Sequence, residues 1–156
     1  MRRAVKKKNI LVPDHLYQSE KVAKFINYVM WDGKKTTSER VVYQAFDIIK
    51  EKAKVEDPME VFEEAIRNAG PSMEVRSRRV GGANYQVPRE VKPIRKQTLG
   101  MKWIIESARK KKGSPIANRL ADEILAASQN EGEAVKRREN SHKMAEANKA
   151  FAHFAW

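Results

Sequence analysis

Apolar residues recur along most of the chain at the three-and-four spacing of amphipathic helices. Val22, Phe25, Ile26, Val29 and Met30 form a first stripe, with Ser19 placed to cap it and Gly33 placed to stop it. Thr36-x-x-Glu39 has the form of a capping box. It predicts a second helix with Val41, Val42, Ala45, Phe46, Ile48 and Ile49 inward. Asp57-Pro58-x-Glu60 supplies an N-cap, a first-position proline and a first-turn acid to a third. Val61, Phe62, Ala65 and Ile66 face in, and Gly70-Pro71 ends it. A fourth helix is read over residues 95–111, with Leu99, Trp103, Ile104 and Ala108 apolar. Gly100 inside it costs about 1 kcal/mol against alanine and blurs its start. Ser114-Pro115 opens a fifth, with Ile116, Leu120, Ala121, Ile124 and Leu125 inward. Residues 133–149 read as a sixth whose apolar content is only Ala134, Val135, Met144 and Ala145. So polar a helix gains little from its own core and is expected to lie against a partner.

Between the third and fourth helices the period changes to two. Residues 72–91 read as two strands joined by Val80-Gly81-Gly82-Ala83, where the glycines supply the positive φ of a tight hairpin. Alternation puts Arg76 and Arg78 on one face and Val75, Ser77 and Arg79 on the other. No third strand is legible, and a lone ribbon is marginal in water. A basic ribbon on a helical body is best explained by a surface that it lies on. Arginine suits RNA, because its fork matches phosphate and its plane stacks on bases. The plain alternative is a solvated hairpin.

The expected architecture is mainly α: about six helices with a protruding two-stranded ribbon between the third and fourth. Residues 1–12 read as a basic arm, 13–149 as one helical domain, and 150–156 as an aromatic tail.

Charge sharpens this picture. The 156 residues carry a net charge of +12. Such an excess destabilises a compact state by self-repulsion unless a polyanion offsets it. Residues 1–12 hold five basic and no acidic groups, and residues 72–112 hold 12 basic and three acidic. The rest is near neutral, so the excess sits in the arm and the middle segment.

Several basic groups are therefore candidate RNA contacts. Arg2, Arg3, Lys6, Lys7 and Lys8 suit an arm that orders along phosphates, or a solubilising tail. Lys34 and Lys35 follow Asp32-Gly33 at a helix end, where they could meet phosphate or compensate a helix C-terminus. Arg95, Lys102 and Arg109 are seven apart and form one stripe, with Lys96 and Lys110–Lys112 beside it. Lys136 and Arg137, with Arg138, open the sixth helix at the unfavourable end of its dipole, which hints at an external anion. For these two groups the alternative is a solvated face. The tail, Phe151 to Trp156, suits stacking on bases or a protein, or packing back on the body.

Nothing catalytic emerges. The chain has no cysteine, which excludes disulfides and thiolate-bound zinc. His15, His142 and His153 lack metal spacing, and Glu63-Glu64 and Asp122-Glu123 read as solvated helix charges. No cofactor fingerprint is present, and no enzyme activity or small-molecule substrate is expected. Ile10-Leu11-Val12 is broken at once by Pro13, so it is no signal peptide, and no apolar run approaches the roughly 20 residues of a membrane span. The chain reads as cytosolic.

Several stretches resemble one family. Val75 to Pro88, Asp32-Gly33-Lys34-Lys35, Phe62 to Ala65 with Asn68, and His142 to Phe151 are similar to small-subunit ribosomal protein seven. The resemblance runs nearly end to end, with departures at Gly70, Lys92, Lys102 and Ala155. It implies binding to the 3′ major domain of small-subunit rRNA, early in assembly of the head. It implies neighbours too: small-subunit proteins nine and eleven, exit-site tRNA and the mRNA exit path. It implies rRNA contacts at Lys34, Lys35, Arg76, Arg78, Arg79, Arg95, Arg109 and Lys136. It puts Gly81, Gly82, Ala83, Asn84 and Tyr85 at the ribbon tip, and His142 and Lys143 near the end of the sixth helix, towards tRNA or mRNA. Some members also repress their own messenger. A free messenger repressor and a DNA-binding architectural protein are the other readings. A membrane-surface protein is disfavoured, because the sixth helix sets mostly alanine opposite its charges.

Overall fold

A computed structural model describes residues 11–154. Its elements run α1 (Glu20–Val29), α2 (Lys35–Ala53), α3 (Pro58–Ala69), β1 (Met73–Val80), β2 (Ala83–Glu90), α4 (Pro93–Lys110), α5 (Ile116–Ser128) and α6 (Gly132–Ala147). A 3-10 helix, Lys149–Phe154, follows. Among the described residues there are therefore six α-helices and a ribbon between α3 and α4, as the periodicity predicts.

The core is a stack of the helical stripes. Phe25, Phe46 and Phe62 meet edge to face, with ring centroids 5.0 and 5.3 Å apart. Val42, Ala45, Ile49, Ile104, Leu120 and Ile124 close around them. α4 turns Met101 and Ile105 inward, and Trp103 is only half-buried. Of the expected stripe, Ile104 and Ala108 are buried, whereas Leu99 and Trp103 lie at its edge. Met144 on α6 is exposed rather than apolar filling.

One helix start and one helix end differ from expectation. α3 begins as predicted: Asp57 Oδ1 accepts from Met59 N–H at 2.8 Å. α2 does not. It starts at Lys35, so Thr36 lies in the first turn and no capping box forms. α1 ends at Val29, and Gly33 (φ +72°) instead forms the turn into α2.

Gly100 has a packing reason. A Cβ there would lie 2.8 Å from the Ile66 carbonyl oxygen. One on Gly70 would lie 2.7 Å from Lys96 Cγ. The two glycines let α4 cross the end of α3 in close contact.

α6 packs on its own chain more firmly than its polarity suggests: Ala134, Val135 and Ala145 are buried, and polar groups help hold it there. Glu123 on α5 is no solvated charge: it has no exposure and accepts from Ala134 N–H at 2.9 Å. Its other oxygen makes no well-directed hydrogen bond, and Lys111 Nζ at 2.6 Å satisfies it electrostatically. Further along α6, Arg138 donates to the Asn68 carbonyl at 2.6 Å, and Ser141 to the Met73 carbonyl at 3.1 Å. Periodicity counts apolar groups, so it found this helix but gave no sign of the hydrogen bonds that hold it.

The ribbon pairs β1 and β2 antiparallel from Met73↔Glu90 to Val80↔Ala83. Gly81 (φ +57°) and Gly82 (φ +90°) make the two-residue turn. Among the described residues no third strand joins it. The ribbon is nonetheless backed: the Tyr85 ring lies 5.3 Å from Phe151 and 4.9 Å from Phe154. The tail, as far as Phe154, thus packs back on the chain. No described helix is long and apolar enough to cross a membrane.

Candidate nucleic-acid interface

Arg76 and Arg79 are exposed on β1, whereas Arg78 is half-buried. Arg78 Nη1 donates to the Phe154 carbonyl at 2.6 Å, which fixes its guanidinium at the ribbon–tail junction. Glu74, 14% exposed at its side chain, gathers two cations. Arg95 Nε reaches both its oxygens at 2.8 and 3.0 Å, and Arg76 Nε lies at 3.5 Å. The hydrogen bond to Glu74 raises the Arg95 pKa further above its ordinary value. The base of the ribbon therefore holds two ordered guanidiniums around one carboxylate, with one positive charge left over.

The α4 stripe faces α1. Lys102 Nζ lies 5.5 Å from the Tyr28 ring centroid. Arg109 Cζ lies 5.2 Å from that of Trp31, and its Nη2 donates to the Val29 carbonyl at 3.1 Å. Arg95, the third member of the stripe, is turned to the ribbon instead. Lys34 caps α2 and Lys35 is its first residue. They stand at the positive end of the α2 dipole, a few residues past the end of α1. Lys34 and Arg109 line one groove of about 240 Å³ with Trp31.

A second groove, about 390 Å³, brings Lys96, His142 and Lys143 together with Arg67 and Arg138. Glu139 and Glu146 temper its charge. His142 Nε2 accepts the Ser72 N–H at 2.9 Å, so the proton of the neutral ring sits on Nδ1. Desolvation, then Arg138 and Lys96, lowers its pKa. Lys136 and Arg137 lie elsewhere, beside Lys110. Lys136 pairs with Glu133 at 3.0 Å, and that bond lowers the Glu133 pKa and raises that of Lys136. Arg137 pairs with Glu106 and lies 5.8 Å from the Trp103 ring centroid. The anion at the start of α6 is thus partly internal. The arm residues Arg2, Arg3, Lys6, Lys7 and Lys8, with Ala155 and Trp156, lie outside the described residues.

The cations fall into separate clusters on different faces, and each contains ordered, oriented groups. Among the described residues no cluster of His, Asp or Glu is arranged to hold a metal ion. The model of the family Ribosomal protein S7p/S5e matches residues 1–149. This chain belongs to that family. It is 55% identical to the small ribosomal subunit protein uS7 of Thermotoga neapolitana over the full length of both. It is 54% identical to that of Thermotoga maritima, again over both full lengths. With the uS7 of Francisella philomiragia it shares 57% over 149 residues, 96% of this chain and 95% of the relative. The family is one of ribosomal structural proteins and not of enzymes.

Sequence reasoning missed several residues of this family member's surface. Trp31 and Tyr28 were not singled out, although an aromatic beside Asp32-Gly33-Lys34-Lys35 was a usable signal. Glu74 was missed because a lone acid in a basic strand reads as a solubilising accident. Arg67 was missed because α3 is otherwise acidic on its outer side.

Proposed function

We propose that this chain is a structural rRNA-binding protein of the small ribosomal subunit. It is held on the 3′ major domain of the rRNA and nucleates assembly of the head. The observation that carries this reading is full-length relatedness to small-subunit uS7 proteins. The charge agrees: the excess of +12 is confined largely to the arm and to residues that include the ribbon and α4.

In this reading residues 1–12 are an arm laid along phosphates, 13–149 the domain, and 150–156 a tail. Lys34, Lys35, Arg76, Arg79, Lys96, Lys102, Arg109, Lys136 and Arg137 position phosphate from their several faces. Arg78 and Arg95 act from fixed orientations, one at the tail and one at Glu74. Gly81 to Tyr85, with His142 and Lys143, lie towards exit-site tRNA and the mRNA exit path. Small-subunit proteins nine and eleven are its neighbours. Repression of its own messenger would use the same surface on a messenger segment that presents the same phosphates and unpaired bases.

Assembly by omission tests this. Particles reconstituted from rRNA and all other small-subunit proteins should lack head proteins, protein nine among them, until this chain is added. A complete head formed without it would overturn the assembly role.

A further inference from the structure

We infer that the groove at Trp31 holds one unpaired RNA base, stacked on the indole, with flanking phosphates on Arg109 and Lys34. The inference rests on the rRNA-binding reading and deepens it: this corner of the protein grips a splayed nucleotide rather than a duplex.

Trp31 is 68% exposed and adds nothing to the core. Its position is nevertheless fixed. The chain turns tightly through Asp32 (φ +50°) and Gly33 (φ +72°), and Lys34 N–H donates to the Trp31 carbonyl at 3.0 Å. Arg109, tied to the Val29 carbonyl, stands 5.2 Å from the ring centroid. A preorganised ring loses little freedom when a ligand stacks on it.

The adjoining groove has an apolar wall of Val29, Val41 and Ile116. Its volume of about 240 Å³ is below that of pockets for drug-sized ligands and suits a single ring system. Lys34 and Arg109 outweigh Asp32 at its rim. An apolar protein segment would desolvate those cations for no return. A nucleotide satisfies both the ring and the charges.

The motif repeats. Lys102 stands over Tyr28 at 5.5 Å; Lys102 is seven residues before Arg109 on α4, and Tyr28 is three before Trp31. Two ring–cation pairs therefore lie in succession. Alternating rings and cations is how surfaces hold single-stranded nucleic acid. Duplex RNA keeps its base faces stacked inside and offers none to Trp31.

The test uses the full chain, a folded 3′-major-domain rRNA fragment, and an unrelated RNA duplex. Tryptophan emission is followed in the wild type and in Trp31→Phe. Ring-on-base contact quenches indole, so the fragment should quench the wild type markedly more than the variant. Trp31→Ala should weaken fragment binding roughly 5- to 150-fold, with the salt slope unchanged. Trp31→Phe should keep most of the affinity. Lys34→Ala should instead reduce the salt slope by about one contact. An exposed residue should leave the unfolding temperature in place, so folding does not confuse the result. Wild-type affinity in Trp31→Ala, or equal quenching by the duplex, overturns the stacking while the rRNA reading stands. Failure of the wild type to prefer the fragment over unrelated RNA overturns both.

Discussion

Glu123 on α5, without solvent exposure, accepts the backbone N–H of Ala134 at the start of α6 at 2.9 Å. The same carboxylate meets Lys111, just past the end of α4, at 2.6 Å. Three helices are joined at one charge, and the α6 dipole favours an anion there.

Removing that acceptor should cost more than removing its charge. Glu123→Gln retains an oxygen for Ala134 N–H and should lose about 1 kcal/mol. Glu123→Ala leaves a buried donor unmet and a cavity, and should lose about 2–4 kcal/mol. Urea unfolding at neutral pH reads both. Equal losses would mean that the hydrogen bond to α6 is unimportant.

Gly100→Ala sets two effects against each other. Alanine gains about 1 kcal/mol in helix propensity. Its Cβ would sit 2.8 Å from a backbone oxygen of α3, which a rotamer change cannot relieve. Overpacking of this kind costs about 1–3 kcal/mol, so the variant should unfold at lower temperature. A stabilised variant would show that α4 and α3 separate at no cost.

His142 makes stability depend on pH. Its pKa is lowered in the fold, so the neutral ring that accepts from Ser72 N–H is the favoured form. The contribution is fully present above the unfolded value of about 6.5 and is lost as pH falls through the lower folded value. His142→Gln should therefore show a shallower loss of thermal stability than the wild type as pH drops below about 6.5. Parallel pH profiles would exclude His142 as a source.

Tyr85 and Phe154 should be energetically coupled, because their rings are 4.9 Å apart. A double-mutant cycle with Tyr85→Ala and Phe154→Ala should return about 0.5–1.5 kcal/mol. Amide exchange in residues 149–154 should quicken in either single variant. Additive effects would mean that tail and ribbon fold independently.

The legible parts of the fold were those that apolar spacing writes directly. Phe25, Phe46 and Phe62 announce their helices because each sits in a stripe. Gly81-Gly82 announces the hairpin because a tight two-residue turn of this kind needs two successive positive φ angles. Asp57-Pro58 announces α3 because cap and proline each act within one turn. The illegible parts depend on partners far apart in sequence. Glu123 reads as surface until α6 folds over it. Thr36-x-x-Glu39 satisfies the capping pattern, yet the turn at Gly33 lets α2 begin two residues earlier, at Lys35 with Lys34 as its N-cap. At the candidate interface, charge density singled out the ribbon and α4 but could not tell an available cation from a committed one. Arg78 belongs partly to the tail and Arg95 partly to Glu74. Arg76, with a side chain 58% exposed, is consequently the better ribbon probe of RNA contact.

The central claim is specific binding to small-subunit rRNA through several phosphate contacts. Affinity for a folded 3′-major-domain fragment, measured across a salt series with unrelated RNA and duplex DNA as competitors, tests it most directly. Log K should fall by roughly 0.7–0.9 per phosphate contact for each decade of salt. Arg76→Ala should remove about one contact from that slope without changing thermal unfolding. Tight binding that survives both competitors is the expected result. Equal displacement by any polyanion would contradict it.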